Sequence, residues 1–207
     1  MVSRLDHLVV VAPSLAVGSR WVLEALGVAP GPGRKHPHMG SHNLLLALGS
    51  SVYLEVAAVD PEAAPIARPR WFGLDGVIPA ARLAGWVAST DHIQSAAPPD
   101  LGFIETMQRD GRTWQMTATA DGALPLSGAA PLLIQRSSAT HPAAVLPESG
   151  LCLRELCVRH PEPARVSSLL SRIGFAMPPR VTVLHDSVSR LVATIETPLG
   201  LRVLGDA

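Results

Sequence analysis

Two side chains in this 207-residue sequence, His7 and Glu55, join acid–base or ligand chemistry to positions the chain uses more than once. An imidazole and a carboxylate carried on neighbouring strands can hold a divalent ion such as Zn, Fe, Mn or Ni and leave positions open for a substrate. They can equally form a core histidine with its hydrogen-bond partner. Glu55 is flanked by Tyr53, Leu54 and Val56, and needs a partner either way, because a buried lone carboxylate is costly. His36, His38 and His42 follow in a Gly/Pro-rich stretch. Such histidines can bind metal, attract an anion when protonated, or rim a loop. His42 and Asn43 open a strand and are expected to face the pocket. Gln135 lies among apolar residues; it either turns its amide oxygen into the site as a ligand or faces solvent. Trp71, Trp86 and Trp114 are expected in the core, with Trp114 also placed on the substrate wall beside His42 and Asn43. Arg109, Arg112 and Arg136 read as solvated, although one of them could clamp a carboxylate.

An internal repeat ranks His7 and Glu55 above the rest. The segment from Leu5 to Pro13 returns as Leu153 to Pro161, offset by 148 residues. Leu23, Leu26 and Gly27 line up with Leu170, Ile173 and Gly174. Leu44–Leu48 matches Leu191–Ile195, and Leu54-Glu55-Val56 matches Leu201-Arg202-Val203. A repeat of roughly 60 residues is one supersecondary unit reused. In the last copy, Glu155 and Arg202 take the places of His7 and Glu55, and are expected to pair with each other.

The elements that position these residues follow from local pattern. Residues 5–12 are a β-branched, apolar run, hence a mostly buried strand. Ser14 can cap a helix whose apolar face is Val17, Trp21, Val22, Ala25 and Leu26, with Gly27 as its C′ residue. Ala29 to Ser41 reads as a loop or as an edge strand that tolerates proline. His42–Leu48 and Val52–Val59 are strands joined by a tight turn. The first unit, residues 1–60, is therefore β-α-β-β-β. A divergent second unit spans 71–140: strands at Leu83–Ser89, Phe103–Gln108, Thr113–Thr119 and Leu132–Arg136, with a short helix over Thr90–Ala97. It places Gly85 at the His7 position and Gln135 at the Glu55 position. A third unit spans 151–207, and its helix starts at Pro163. The first two are expected to pair into one domain. The fold class is α+β: repeated βαβββ units forming a cupped, barrel-like mixed sheet with helices outside.

Bulk composition narrows the function classes. Hydrophobic residues make up 47% and charged residues 16%, a globular balance. Lys+Arg and Asp+Glu each count 17, so there is no cationic excess of the kind nucleic-acid binding uses. No apolar run reaches the ~18 residues that would suggest a membrane span, and the N-terminus does not read as a signal peptide. Cys152 and Cys157 are expected on opposite faces of one strand, unable to bridge. A cytoplasmic protein with reduced thiols is the expectation. Low charge with zero net charge favours association, here a homodimer. Gly31-Pro32-Gly33 lacks the rest of a dinucleotide fingerprint, so no nucleotide cofactor is expected.

The repeated units, with His on the first strand and Glu on the last, resemble the vicinal-oxygen-chelate superfamily of glyoxalase, bleomycin-resistance and extradiol dioxygenase proteins. More closely, Leu5-Asp6-His7-Leu8-Val9-Val10, the run from His36 to Asn43, Tyr53-Leu54-Glu55, Trp71-Phe72-Gly73-Leu74, the run from Pro131 to Gln135 and His141-Pro142 resemble its glyoxalase-like domain subfamily. The resemblance implies a cup with a divalent metal held by His7, Glu55 and Gln135, and a small oxygenated molecule bound there. It implies lyase, isomerase or dioxygenase chemistry, with Glu55 as ligand or catalytic base. It also implies an alternative, a metal-free protein that sequesters a small molecule as the bleomycin-resistance proteins do. Gly85 and Arg202 cannot ligate, which favours the alternative; His7, Glu55 and the histidine cluster favour the enzyme.

Overall fold

The computed structural model describes residues 2–109, 111–137 and 140–205. Three successive segments each run strand, helix, three strands. The first holds β1 (Ser3–Val11), α1 (Leu15–Leu26), β2 (Gly31–His36), β3 (Ser41–Ala47) and β4 (Tyr53–Val59). The second holds β5 (Arg82–Thr90), α2 (Ile93–Ala96), β6 (Phe103–Arg109), β7 (Arg112–Ala118) and β8 (Leu132–Arg136). The third holds β9 (Cys152–His160), α3 (Pro163–Arg172), β10 (Arg180–His185), β11 (Arg190–Thr197) and β12 (Gly200–Gly205).

Local chemistry explains the first segment. Ser14 Oγ accepts the Val17 backbone N–H at 3.3 Å and starts α1. Gly27 ends it at φ 77°, a left-handed geometry open to glycine. Pro32 is accommodated because β2 is an edge strand.

The first two segments share one curled eight-stranded sheet, in the order β2-β3-β4-β1-β5-β8-β7-β6. β1 and β5 pair antiparallel at its centre, so the segments mirror one another. One face of this sheet carries Leu8, Val10, Leu54, Val56 and Trp86, all fully buried. They form the main core with α1, α3 and the inner face of the last four strands, among them Leu156, Val158 and Ile195. The opposite, concave face carries a second core built on Val9, Val11, Ala57 and Val87 and closed by Trp71 and Phe72 from the connector. That core fills one end of the cup and leaves the other end open. Helices are few and peripheral. Among the described residues no helix is long and apolar enough to cross a membrane.

The third segment repeats the element order but not the strand order, which is β10-β9-β11-β12. In the first segment the last strand lies beside the first. In the third, β12 sits at the far edge, with β11 between it and β9. Glu155 and Arg202 therefore do not meet, contrary to the sequence expectation. Glu155 instead accepts the Thr182 hydroxyl and lies 3.4 Å from Arg180 Nε. Both cysteines are free thiols, but a register shift in the β9–β11 pairing sets Cys152 opposite Glu196 and Cys157 opposite Val192, so they share one face of β9 rather than the opposite faces expected.

Candidate functional site

β1 and β4 run parallel, with His7 beside Tyr53 and Val9 beside Glu55. That register puts His7, Tyr53 and Glu55 on the concave face, where they line a pocket. His7 Nε2 lies 3.3 Å from Glu55 Oε2, and both side chains are almost fully buried. Behind His7 stands Asp6, whose Oδ1 is 2.6 Å from His7 Nδ1. Successive strand residues normally face opposite ways. A register shift between Leu5 and His7 in the β1–β5 pairing marks a bulge, which lets Asp6 and His7 meet.

A continuous polar chain grows from this pair. The Asn43 amide donates to Glu55 Oε1 at 2.7 Å and lies 3.2 Å from His36 Nε2. Its own oxygen accepts the Arg34 backbone N–H at 2.7 Å, which fixes its orientation. Gly33 makes the approach possible: a Cβ there would stand 2.1 Å from Asn43 Oδ1. Arg109 Nη1 sits 2.9 Å from His36 Nε2. At the other end, the Arg136 guanidinium forks onto Asp6, with Nη2 2.8 Å from Oδ1, and donates to the Tyr53 hydroxyl at 3.2 Å. His141 Nε2 reaches Asp6 Oδ2 at 3.1 Å, while its Nδ1 accepts the Ala143 N–H at 3.2 Å. The connector after β8 is thereby tied to the site.

Burial opposes charge on all of these groups, and partners overrule it on four. Asp6 is held well below the usual carboxylate range despite burial, by hydrogen bonds from His141 and His7 and by the nearby cations. Glu55 is lowered in the same way, chiefly by His7, then by His36 and Asn43. Burial works against charge on His7, but Asp6 and Glu55 raise it. Arg136 is likewise held protonated against burial by Tyr53 and Asp6. The result is two carboxylates set between the His7 imidazole and the Arg136 guanidinium, the partnering under which buried charges are tolerated. His36 is the exception: burial, assisted by Arg109, drops it to about 4, so it is neutral at neutral pH.

Several expected site residues come together here: His7, Asn43, Glu55 and Trp114 all line the pocket. Two do not. Gln135 turns to the other face, where its oxygen accepts the Ile93 N–H at 2.8 Å and anchors α2. Its neighbours Ile134 and Arg136 face the pocket instead. With a side-chain period of two, a shift of one residue reverses the face. His42 is displaced by the same parity: Asn43 points inward and His42 lies 3.9 Å from Asp60 on the other side. The arginines read as solvated, Arg109, Arg112 and Arg136, all contribute to the pocket. Trp71 also lines it, whereas Trp86 is core and donates to the Ala129 carbonyl at 3.1 Å. Asp6 was missed as a site residue. Its signal was an acid inside an otherwise apolar strand, which needs a buried partner.

The metal held by His7, Glu55 and Gln135 that the resemblance implies does not fit these residues. At the second-half counterpart of His7, Gly85 has no side chain, and a Cβ added there would stand 2.8 Å from Leu124. The other counterpart, Gln135, is engaged elsewhere. Among the described residues no group of three or more His, Cys, Asp or Glu is placed to hold an ion. His7 keeps both ring nitrogens on carboxylates, and a ligating imidazole must give one of them up.

Comparison with known proteins supports the architecture. The family model described as a glyoxalase-like domain matches residues 5–174. No curated protein matches the chain. A hypothetical protein from Staphylococcus aureus superposes with TM-score 0.60 at 12% identity, covering 91% of this chain and 88% of that one. Methylmalonyl-CoA epimerase from Mycobacterium tuberculosis aligns at 17% identity with TM-score 0.41, covering 68% of this chain and 91% of its own. A Streptomyces coelicolor methylmalonyl-CoA epimerase bound to 2-nitronate-propionyl-CoA aligns at 15% identity with TM-score 0.42, covering 66% and 94%.

Proposed function

This chain belongs to the glyoxalase-like domain family, and on that premise we propose that it binds a small oxygenated anion in its cup without a resident metal. Glu55 is the proton-handling group of this reading. The observation that carries it is the composition of the pocket: one ionised carboxylate, Glu55, already matched by His7, shares the cavity with the guanidinium groups of Arg34 and Arg112. Fixed cations in a partly enclosed site attract an anion and stabilise negative charge that develops on it. The carboxylate can accept a proton from a carbon next to a carbonyl, and His7, hydrogen-bonded behind it, can steady or relay that proton. Lyase or isomerase chemistry fits this arrangement, and so does plain sequestration, which needs the cations but not Glu55.

Trp71 and Trp114 line the cavity and supply a fluorescence signal. Titration with pyruvate and benzoate in EDTA-treated buffer should give saturable quenching. Arg112→Gln should weaken binding severalfold, whereas Glu55→Gln, which removes a negative charge, should retain or tighten it. Binding that disappears in EDTA and returns with zinc or manganese would overturn this reading.

A further inference from the structure

The pocket holding His7 and Glu55 encloses only about 130 Å3, short of the roughly 300–1,000 Å3 of ordinary small-molecule sites. A second cavity of about 340 Å3 adjoins it, and His36, Trp71, Arg109 and Trp114 line both. What divides the two is therefore a set of side chains. The His36 ring stands edge-on to Trp71, with centroids 4.8 Å apart. The Arg109 guanidinium lies over the Trp114 ring at 5.5 Å. For the cavities to join, the Arg109 and His36 side chains, 2.9 Å apart between Nη1 and Nε2, must turn aside.

The two chambers differ in chemistry. The first takes the Arg34 and Arg112 guanidinium groups beside Glu55, whereas Arg109 borders both. In the second, the Arg68 guanidinium is gripped by Glu105 through two contacts, one of them 2.6 Å between Nη2 and Oε2, so its charge is cancelled locally. The remaining walls include Pro37, Met39, Met107 and the two indoles. Thioethers and indole faces favour flat apolar groups.

Resting on the anion-binding reading above, we infer that the ligand is bipartite: a small oxygenated anionic head beside Glu55 and Arg112, and a planar aromatic body that passes the Arg109–Trp114 partition into the second chamber. Neither chamber alone offers both the charge and the room; together they match a small aromatic acid.

Two probes with one head test this. Benzoate fills the first chamber only, whereas biphenyl-4-carboxylate must reach the second. The longer probe should bind wild-type protein at least tenfold more tightly. Met107→Trp, which fills the second chamber, should reduce the longer probe to the affinity of benzoate and leave benzoate unchanged. Methyl-labelled methionine offers a readout that needs no variant: the Met39 and Met107 resonances should move with biphenyl-4-carboxylate and stay still with benzoate. If benzoate binds and the longer probe gains nothing, with the methyl signals unmoved, the bipartite ligand is wrong while the anion pocket survives. If neither carboxylate binds, both readings fall.

Discussion

The two halves of the eight-stranded sheet are built alike and equipped differently. Each runs β-α-β-β-β, and each places its first strand at the central β1–β5 seam. The inner face of the first half carries His7, Asn43 and Glu55, an acid–base group. That of the second carries Arg109, Arg112, Trp114 and Arg136, a cationic and aromatic group. Where the first half has an imidazole, the second has Gly85, with Leu124 packed over it. Duplication of a scaffold thus fixes where side chains can converge, not what they are. In this chain one half carries the imidazole and carboxylate, and the other most of the guanidinium groups and an indole.

The halves depend on each other most at Asp6, which takes His7 from the first and Arg136 from the second. Asp6→Asn removes one carboxylate from a buried, balanced set and should cost about 3–5 kcal/mol in urea unfolding; a loss under about 1 kcal/mol would show that the halves are not locked there. Next in size, Gly33→Ala forces a Cβ to within 2.1 Å of Asn43 Oδ1 and 2.6 Å of its backbone oxygen. The overpacking should cost about 1–3 kcal/mol and release Glu55 from its amide, so benzoate affinity should change along with stability.

The third prediction concerns pH. The folded protein keeps His36 neutral down to about pH 4, whereas a free imidazole titrates near ~6.5. Between these values the unfolded chain binds the extra proton, so stability should rise with pH across that window, by on the order of 1–3 kcal/mol. The lowered Asp6 and Glu55 act in the same direction at the acid end, losing their contribution as pH falls through their folded values. The raised His7 acts oppositely: its contribution is complete below ~6.5 and is lost as pH climbs through its folded value. His36→Gln should flatten the acid-side slope; an unchanged slope would show that His36 is solvated. The smallest effect belongs to the third segment, where Glu155→Gln breaks only a partly exposed pair. It should cost less than about 1 kcal/mol and leave benzoate binding untouched.

Much of this was readable in the sequence where the signal is local. Ser14 and Gly27 bound α1 as their chemistry requires, Leu132–Arg136 is a strand over the expected residues, and Pro32 sits on an edge strand. His7 and Glu55 share a pocket because a parallel register joins the strands that carry them. What stayed hidden depends on partners distant in the chain. Gln135 and His42 each lie one residue from an inward-facing neighbour, and only strand pairing decides that parity. The bulge that unites Asp6 with His7 leaves no mark on residue type. The third segment repeats the element order of the first, yet β12 pairs with β11 rather than with β9. Repetition along a chain does not dictate which edges meet.

Nitrogen-15 NMR of the His7 ring at neutral pH tests the absence of a resident metal most directly. The account predicts that both ring nitrogens carry protons, one shared with Asp6 and one with Glu55, and that equimolar zinc leaves their signals in place. A loss of the Nε2 proton with a coordination shift on adding zinc would contradict it.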